Sequence, residues 1–255
     1  MHAVEPFKTD RSQPAAAGSA PGTPALILAS QSPRRQQLLR EAGFSFSTVL
    51  PPMDDAHLCP GPVEPRRWVA ALAYLKARAV QTTLSCPDQR PAGVRADQPL
   101  FILAADTIVI KDQRLIGKPS DENDARHILR TLSAGRHEVM TGVAIVEVPA
   151  GGSPVRAALS SSLDQSPRTL FVDCAHVHVG ELGNDRIEAH VASGAWRGKA
   201  GGYNIFDQLN YNWPLHVEGD PTTVAGLPMQ RVVPALSKVL AGSRDEASPL
   251  VRRLG

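Results

Sequence analysis

Residues Leu100-Phe101-Ile102-Leu103-Ala104-Ala105 form an unbroken apolar run that stops at an acidic residue, Asp106. Six apolar residues without polar alternation predict a strand buried on both faces. That strand is expected to end at Asp106, and Thr107-Ile108-Val109-Ile110 then opens a strand–turn–strand unit through Lys111-Asp112-Gln113-Arg114. The carboxyl end of a buried strand is where α/β sheets form their ligand crevices. Two readings of Asp106 stand side by side: a metal ligand or general base, or a strand-end residue that caps a turn.

The segments around this run alternate between helix and strand patterns. Leu26–Ala29 reads as a short buried strand, and Ser32-Pro33 reads as an N-cap with proline in the first turn of a helix to Ala42, closed by Gly43. A second helix is expected over about 64–80, with Trp68, Val69, Leu72, Leu75, Ala79 and Val80 on its buried stripe. Ala125, Ile128, Leu129 and Leu132 recur at helical spacing within 121–132. Strands are expected at about 137–148 and 170–180 and helices at about 185–192 and 228–240, the last kinked or shortened by Pro234. The fold class this predicts is α/β, with a mixed sheet and flanking helices.

The 22 prolines and 20 glycines of the 255-residue chain first suggest disorder. They gather instead in residues 1–24, in the stretches near 82–99 and 149–168, and at motif turns such as Pro33, Pro119 and Pro228. The expected organisation is a mobile tail over 1–24, one domain over 25–241 and a flexible tail over 242–255. A net charge of +2 carries no basic footprint for nucleic acid. No run approaches the roughly 20 apolar residues that span a membrane, and the first 24 residues hold no signal-like apolar core. Cys59, Cys86 and Cys174 are odd in number and lack a CxxC pattern, which points away from a disulfide framework and toward a reducing, cytoplasmic setting.

The chemistry gathers in the N-terminal half. Ser30-Gln31-Ser32-Pro33-Arg34-Arg35 places two hydroxyls and two guanidiniums at a helix N-terminus, where free N–H groups already favour an anion. A capped helix with two solvated arginines explains the same residues. Lys76 beside the buried stripe and Lys118 in Gly117-Lys118-Pro119 each read, alone, as snorkelling lysines. Asp54-Asp55 in a proline-rich loop reads alone as a solvated pair. His176 and His178 alternate on an expected strand; without a cysteine or acidic pair at ligand spacing they read as an exposed face rather than half a zinc site. No GxxxxGK[ST] pattern is present, which disfavours a P-loop enzyme.

Taken in order, these motifs resemble the Maf family of nucleoside triphosphate pyrophosphatases. The resemblance runs through Leu26–Phe46, Leu72–Ala77, Ala105–Val109, Gly117–Pro119, Leu132–His137, Thr141–Val143, Gly198–Tyr203 and Val224–Pro228, spanning about residues 25–240. It implies an elongated mixed sheet with two lobes around a cleft, of the Maf-like and inosine-triphosphatase-like kind. It also implies hydrolysis of a nucleoside triphosphate to monophosphate and pyrophosphate, a divalent cation (Mg2+ or Mn2+), and often a homodimer. By motif, Asp106 matches the proton acceptor, and Asp55 falls where the family has an acidic residue near the metal. Ser30, Arg34, Arg35, Lys76 and Lys118 match positions that hold the triphosphate, and Thr107 after Asp106 resembles the dTTP/UTP branch.

The chain departs from the pattern in two places. The family's Lys-Ala-Gly-Ala-Tyr-Gly-Ile-Gln motif reads Lys199-Ala200-Gly201-Gly202-Tyr203-Asn204-Ile205-Phe206 here. Phe206 makes no amide hydrogen bond to a base but offers a stacking face. Asp207 and Gln208 follow it, and on a strand Asp207 would point away. Asp55 replaces the usual Glu, one methylene shorter. Besides a dTTP/UTP pyrophosphatase, the sequence leaves two alternatives: a non-catalytic nucleotide-binding regulator of cell division, and a house-cleaning enzyme for non-standard nucleotides.

Overall fold

The central element of the computed structural model is the strand that begins at Leu100. It does not end at Asp106 but runs unbroken from Leu100 to Lys111 (β3). The structure describes residues 24–53, 58–95, 98–148 and 168–246. In chain order its elements are β1 (Ala25–Leu28), α1 (Pro33–Glu41), β2 (Ser47–Thr48), α2 (Pro65–Leu84), β3, β4 (Arg114–Ile116), α3 (Glu122–Leu132), β5 (Gly135–Val148) and β6 (Arg168–Val179). There follow α4 (Asn184–Ala192), α5 (Ile205–Asn210), β7 (Leu215–Glu218), α6 (Pro221–Val224) and α7 (Met229–Glu246).

The described strands form one seven-stranded mixed sheet in the order β2-β1-β3-β5-β6-β7, with β4 paired to β3. The expected α/β class with a mixed, helix-flanked sheet is therefore the one observed. β5 follows β3 antiparallel along nearly its whole length, from Leu100 opposite Val148 to Ile110 opposite Glu138. The other edge of β3 is shared. β1 pairs parallel with Leu100–Leu103, and β4 returns antiparallel against Val109–Lys111. Between these two partners the edge opens into a notch around Asp106. Asp106 thus interrupts the apolar run without ending the strand, because β5 holds the opposite edge in register through Asp106–Gly142.

Two packing regions hang on the long strands. Around the first half, α2 covers one face, with Ala73, Ala77 and Val80 against Ile102, Ala104 and Ala144. α1 and α7 cover the other face, with Leu38, Leu39, Val232 and Leu236 against Leu103 and Val143. Around the second half, one face is closed by α3, α4 and α5, with Trp196, Tyr203 and Trp213 in the same core. α2 lies so close to β5 that a Cβ at Gly142 would strike the Val69 carbonyl. Glycine is required there by close approach rather than by a turn.

Local signals account for most boundaries. Ser32 caps α1 by accepting from Arg35 N at 3.5 Å, and Asp121 caps α3 by accepting from Asp124 N at 2.9 Å. At the far end of α1, Gly43 has φ 79°. Gly43 N donates to Arg40 O, and Phe44 N to Leu39 O, the paired bonds of a Schellman closure. α2 continues to Leu84, beyond the expected Val80. α7 passes through Pro234 and reaches Glu246, so the proline does not shorten it. The segments 1–23, 149–167 and 247–255, and Asp54-Asp55, lie outside the described residues.

Candidate active site

The notch in the sheet collects most of the motif residues. Asp106, nearly buried, points to the α2 face, where Lys76 Nζ donates to its Oδ1. Lys76 stands on α2 one residue past the exposed Leu75, so its stem lies along the helix while its ammonium reaches under the sheet edge. This is not the solvated lysine that its position alone suggests. A buried carboxylate requires such a partner, since an unpaired charge in this position costs several kcal/mol or more. The Oδ2 atom of Asp106 has no hydrogen-bond partner among the described residues. A free carboxylate oxygen of this kind is a hard donor suited to Mg2+ or Mn2+.

Thr107 follows on the strand and so points to the opposite face. There Arg35 binds three elements at once. Its Nη2 donates to Thr107 Oγ1 at 3.1 Å, its Nη1 to Ser30 Oγ at 3.4 Å, and its Nε to Gly226 O at 2.7 Å. Gly226 has φ 97°, and a Cβ there would come within 3.1–3.3 Å of the guanidinium and 3.2 Å of Thr107 Oγ1. Behind Thr107 a chain of hydroxyls continues inward. Thr107 and Thr141 Oγ1 atoms lie 2.9 Å apart, Thr141 donates to Thr223 O at 2.8 Å, and Thr223 donates to Asp173. Arg35 therefore ties α1 to β3 and to the loop before α7, instead of standing solvated.

Arg34 occupies the other side of α1. Its Nη2 donates to Asp207 Oδ1 at 2.9 Å, and its guanidinium lies 5.1 Å from the centre of the Phe206 ring. Residues 205–210 are a helix, α5, not the strand on which Asp207 would point away. Asn204 starts that helix by accepting from Phe206 N at 3.1 Å. On it Phe206 and Asp207 both face Arg34. Gln208 turns into the core, 3.4 Å from His190 Nδ1, and is not a replacement for the glutamine absent at position 206.

Lys118 is exposed, two residues past Ile116, whose strand partner is Val109. The antiparallel direction of β4 turns the chain back toward the middle of β3. Asp112 and Gln113, with φ 49° and 62°, form the tight turn that makes this return possible. Its motif docks on the other glycine motif: Gly201 N donates to Gly117 O at 3.1 Å. A Cβ on Gly202 would come 3.3 Å from Pro119. Tyr203, whose hydroxyl burial keeps neutral, meets His137 Nε2 at 2.9 Å and anchors the motif in the second core.

Sequence reading singled out residues that the structure places in three groups: Lys76 with Asp106 at the notch, Ser30 and Thr107 around Arg35 on the opposite face, and Arg34 against Phe206, with Lys118 two residues past β4. Asp55 lies outside the described residues. It missed Asp207 as the partner of Arg34, and Thr141, Thr223 and Asp173 as the support of Thr107. Thr141 stands in a motif that the resemblance singles out and Thr223 directly precedes another, but their pairing across 82 residues has no local signature.

A mixed sheet flanked by helices, notched beside a paired lysine and aspartate, places the chain among α/β proteins with a charged sheet-edge cleft. Comparison makes the class definite: the family of Maf-like proteins matches across residues 25–239, and the chain belongs to that family. It is 36% identical over 224 residues to a dTTP/UTP pyrophosphatase of Salinibacter ruber, covering 88% of this chain and 95% of that protein. It is 35% identical over 209 residues to one of Hyphomonas neptunium, covering 82% and 92%. A dTTP/UTP pyrophosphatase of Geobacillus sp. is 33% identical over 208 residues, covering 82% and 94%.

Proposed function

We propose that this protein hydrolyses nucleoside triphosphates, dTTP and UTP above all, to the monophosphate and pyrophosphate. The observation that carries the reading is the Lys76–Asp106 pair at the unpaired stretch of β3. Asp106 takes the proton of a water that attacks the α-phosphorus. The Pα–O–Pβ bond breaks, and the electron pair leaves with pyrophosphate. Lys76 orients the carboxylate and, with Lys118 and Arg34, meets the growing charge on the phosphate oxygens. A divalent cation held by Asp106, with Asp55 as the second acidic residue that the family resemblance implies, would neutralise polyphosphate charge here.

The two arginines divide the work. Arg35 is committed to Ser30, Thr107 and Gly226, and so holds the anion cradle in shape. Arg34 is engaged by the half-exposed carboxylate of Asp207. A phosphate group is the same kind of partner for that fork, so substrate takes the place of Asp207 on Arg34. Phe206, in place of the family glutamine, offers the base a flat apolar face.

No described helix is long and apolar enough to cross a membrane. A cytoplasmic setting and a homodimer accompany this reading, and sedimentation tests the second. The function itself is tested by pyrophosphate release with Mg2+ across dTTP, UTP, the other common triphosphates and modified nucleotides. Turnover greatest on dTTP and UTP supports the reading. Preference for a modified nucleotide favours the house-cleaning alternative, and binding without turnover favours the regulator.

A further inference from the structure

Beyond the N-terminal turn of α2, where Trp68 and Val69 pack beside Met140 and Val172, no described helix packs on the sheet face that carries Asp106. On it the side chains of β5, β6 and β7 alternate outward. The register places Glu138 of β5 directly opposite His176 of β6, and Met140 opposite Cys174. Cys174 and His176 are two residues apart on one strand and so share this face with Glu138. Cys174 Sγ lies 4.0 Å from Glu138 Oε2, and His176 Nε2 lies 4.0 Å from Glu138 Oε1. One donor atom from each of the three side chains falls within 4.8 Å of the others. The cysteine at ligand spacing that the histidines seemed to lack is therefore present, and the acid comes from the neighbouring strand.

We propose that Glu138, Cys174 and His176 form a binding site for a borderline-soft divalent cation of the zinc type, separate from the catalytic notch. A thiolate, an imidazole and a carboxylate are the donors such an ion selects, whereas the hard cation of phosphate chemistry takes oxygen alone. Tetrahedral geometry with ordinary zinc bond lengths separates ligand atoms by roughly 3.3–3.6 Å. The side chains need to close by about an ångström, which rotation of the half-buried Glu138 provides. On binding, the Cys174 S–H bond breaks, its proton leaves to solvent and the sulfur–metal bond forms. Thiolate and carboxylate then balance the charge of the ion. Arg66 and Arg136 flank the site, and each is occupied elsewhere: Arg66 donates to Val172 O at 3.0 Å, and Arg136 lies 3.6 Å from Glu218. Glu138 and His176 also line a groove of about 650 Å³, so a fourth ligand, water or an added group, reaches the ion from that side.

Cobalt reports such a site through its sulfur-to-metal charge-transfer absorption, which an all-oxygen site cannot produce. The full-length protein, stripped with chelator and titrated with Co2+, is expected to develop that band with saturation at one equivalent of thiolate-bound ion. Cys174→Ser should abolish the band, and His176→Gln should weaken cobalt binding at least tenfold. Asp106→Asn and the double variant Cys59→Ser/Cys86→Ser should leave the band and its saturation point unchanged. Circular dichroism confirms that each variant is folded. Absence of the band in the parent protein, its survival in Cys174→Ser, or its loss in Cys59→Ser/Cys86→Ser would overturn the assignment.

Discussion

Asp106 and Thr107 are neighbours on one strand, yet they serve opposite faces of the sheet and are built differently. Asp106 meets a single described partner, Lys76, and keeps one oxygen uncommitted. Thr107 belongs to a closed set of bonds that joins Arg35, Thr141, Thr223 and Asp173. An under-satisfied carboxylate next to a fully satisfied scaffold is what chemistry at a notch requires. The reactive group must have capacity to spare, and the groups that fix its position must not. On the proposed function, the Asp106 face carries turnover and the Thr107 face holds the site together.

The largest effect should come from Asp106→Asn. It keeps the shape but removes the charge and the proton acceptor. Turnover should fall by about 10²–10⁴-fold, as for loss of a general base, in a pyrophosphate-release assay, with circular dichroism unchanged. Gly142→Ala probes the same face for packing: the added methyl has no room against Val69. It should lower unfolding free energy by about 1–3 kcal/mol, read by urea denaturation.

Thr141→Val tests the other face. Thr141 is buried, and the change leaves the Thr223 carbonyl without its donor. Stability should drop by about 1–3 kcal/mol, while turnover changes far less than in Asp106→Asn.

Acid tests the supporting core. Burial holds His137 at about 4, and burial, opposed by its bond to Gly202, lowers His190. Both imidazoles are shifted toward the neutral form in the folded protein, so the unfolded chain takes up their protons first. Stability should therefore be full above about pH 6.5 and fall as the pH drops toward 4, by up to about 3 kcal/mol from His137. A melting temperature that stays flat across this window would contradict the assignment of neutral, buried imidazoles.

Asp207→Asn should have the smallest effect. It frees Arg34 from a competing carboxylate and should lower KM severalfold with little change in kcat. A raised KM would mean that Asp207 holds Arg34 in place for substrate rather than competing with it.

What the sequence showed depended on how local each cause is. The stripe Ala125, Ile128, Leu129, Leu132 marks α3 within three turns, and Ser32-Pro33 and Gly43 bracket α1 with their own side chains or backbone. The continuation of β3 through Asp106 depends on β5, some 36 residues away at Gly142, and no local pattern carries it. α5 has six residues, too few for helical periodicity to show, and its start is marked only by Asn204. β7 has four residues and borrows its register from β6. The candidate site residues were singled out because several ordered motifs contain them. Asp207 was missed because its role depends on α5 turning it toward Arg34. The ligand set at Glu138, Cys174 and His176 was missed because one of its members comes from the neighbouring strand.

The central claim, that the two faces at Asp106 and Thr107 divide chemistry from support, is tested most directly by measuring kcat and unfolding free energy together for Asp106→Asn and Thr141→Val. The predicted result is a crossed pattern: Asp106→Asn loses turnover and stays folded, its amide oxygen still able to accept from Lys76, and Thr141→Val loses stability and keeps most of its turnover. Near parental turnover in Asp106→Asn, or equal loss of turnover in both variants, would contradict it.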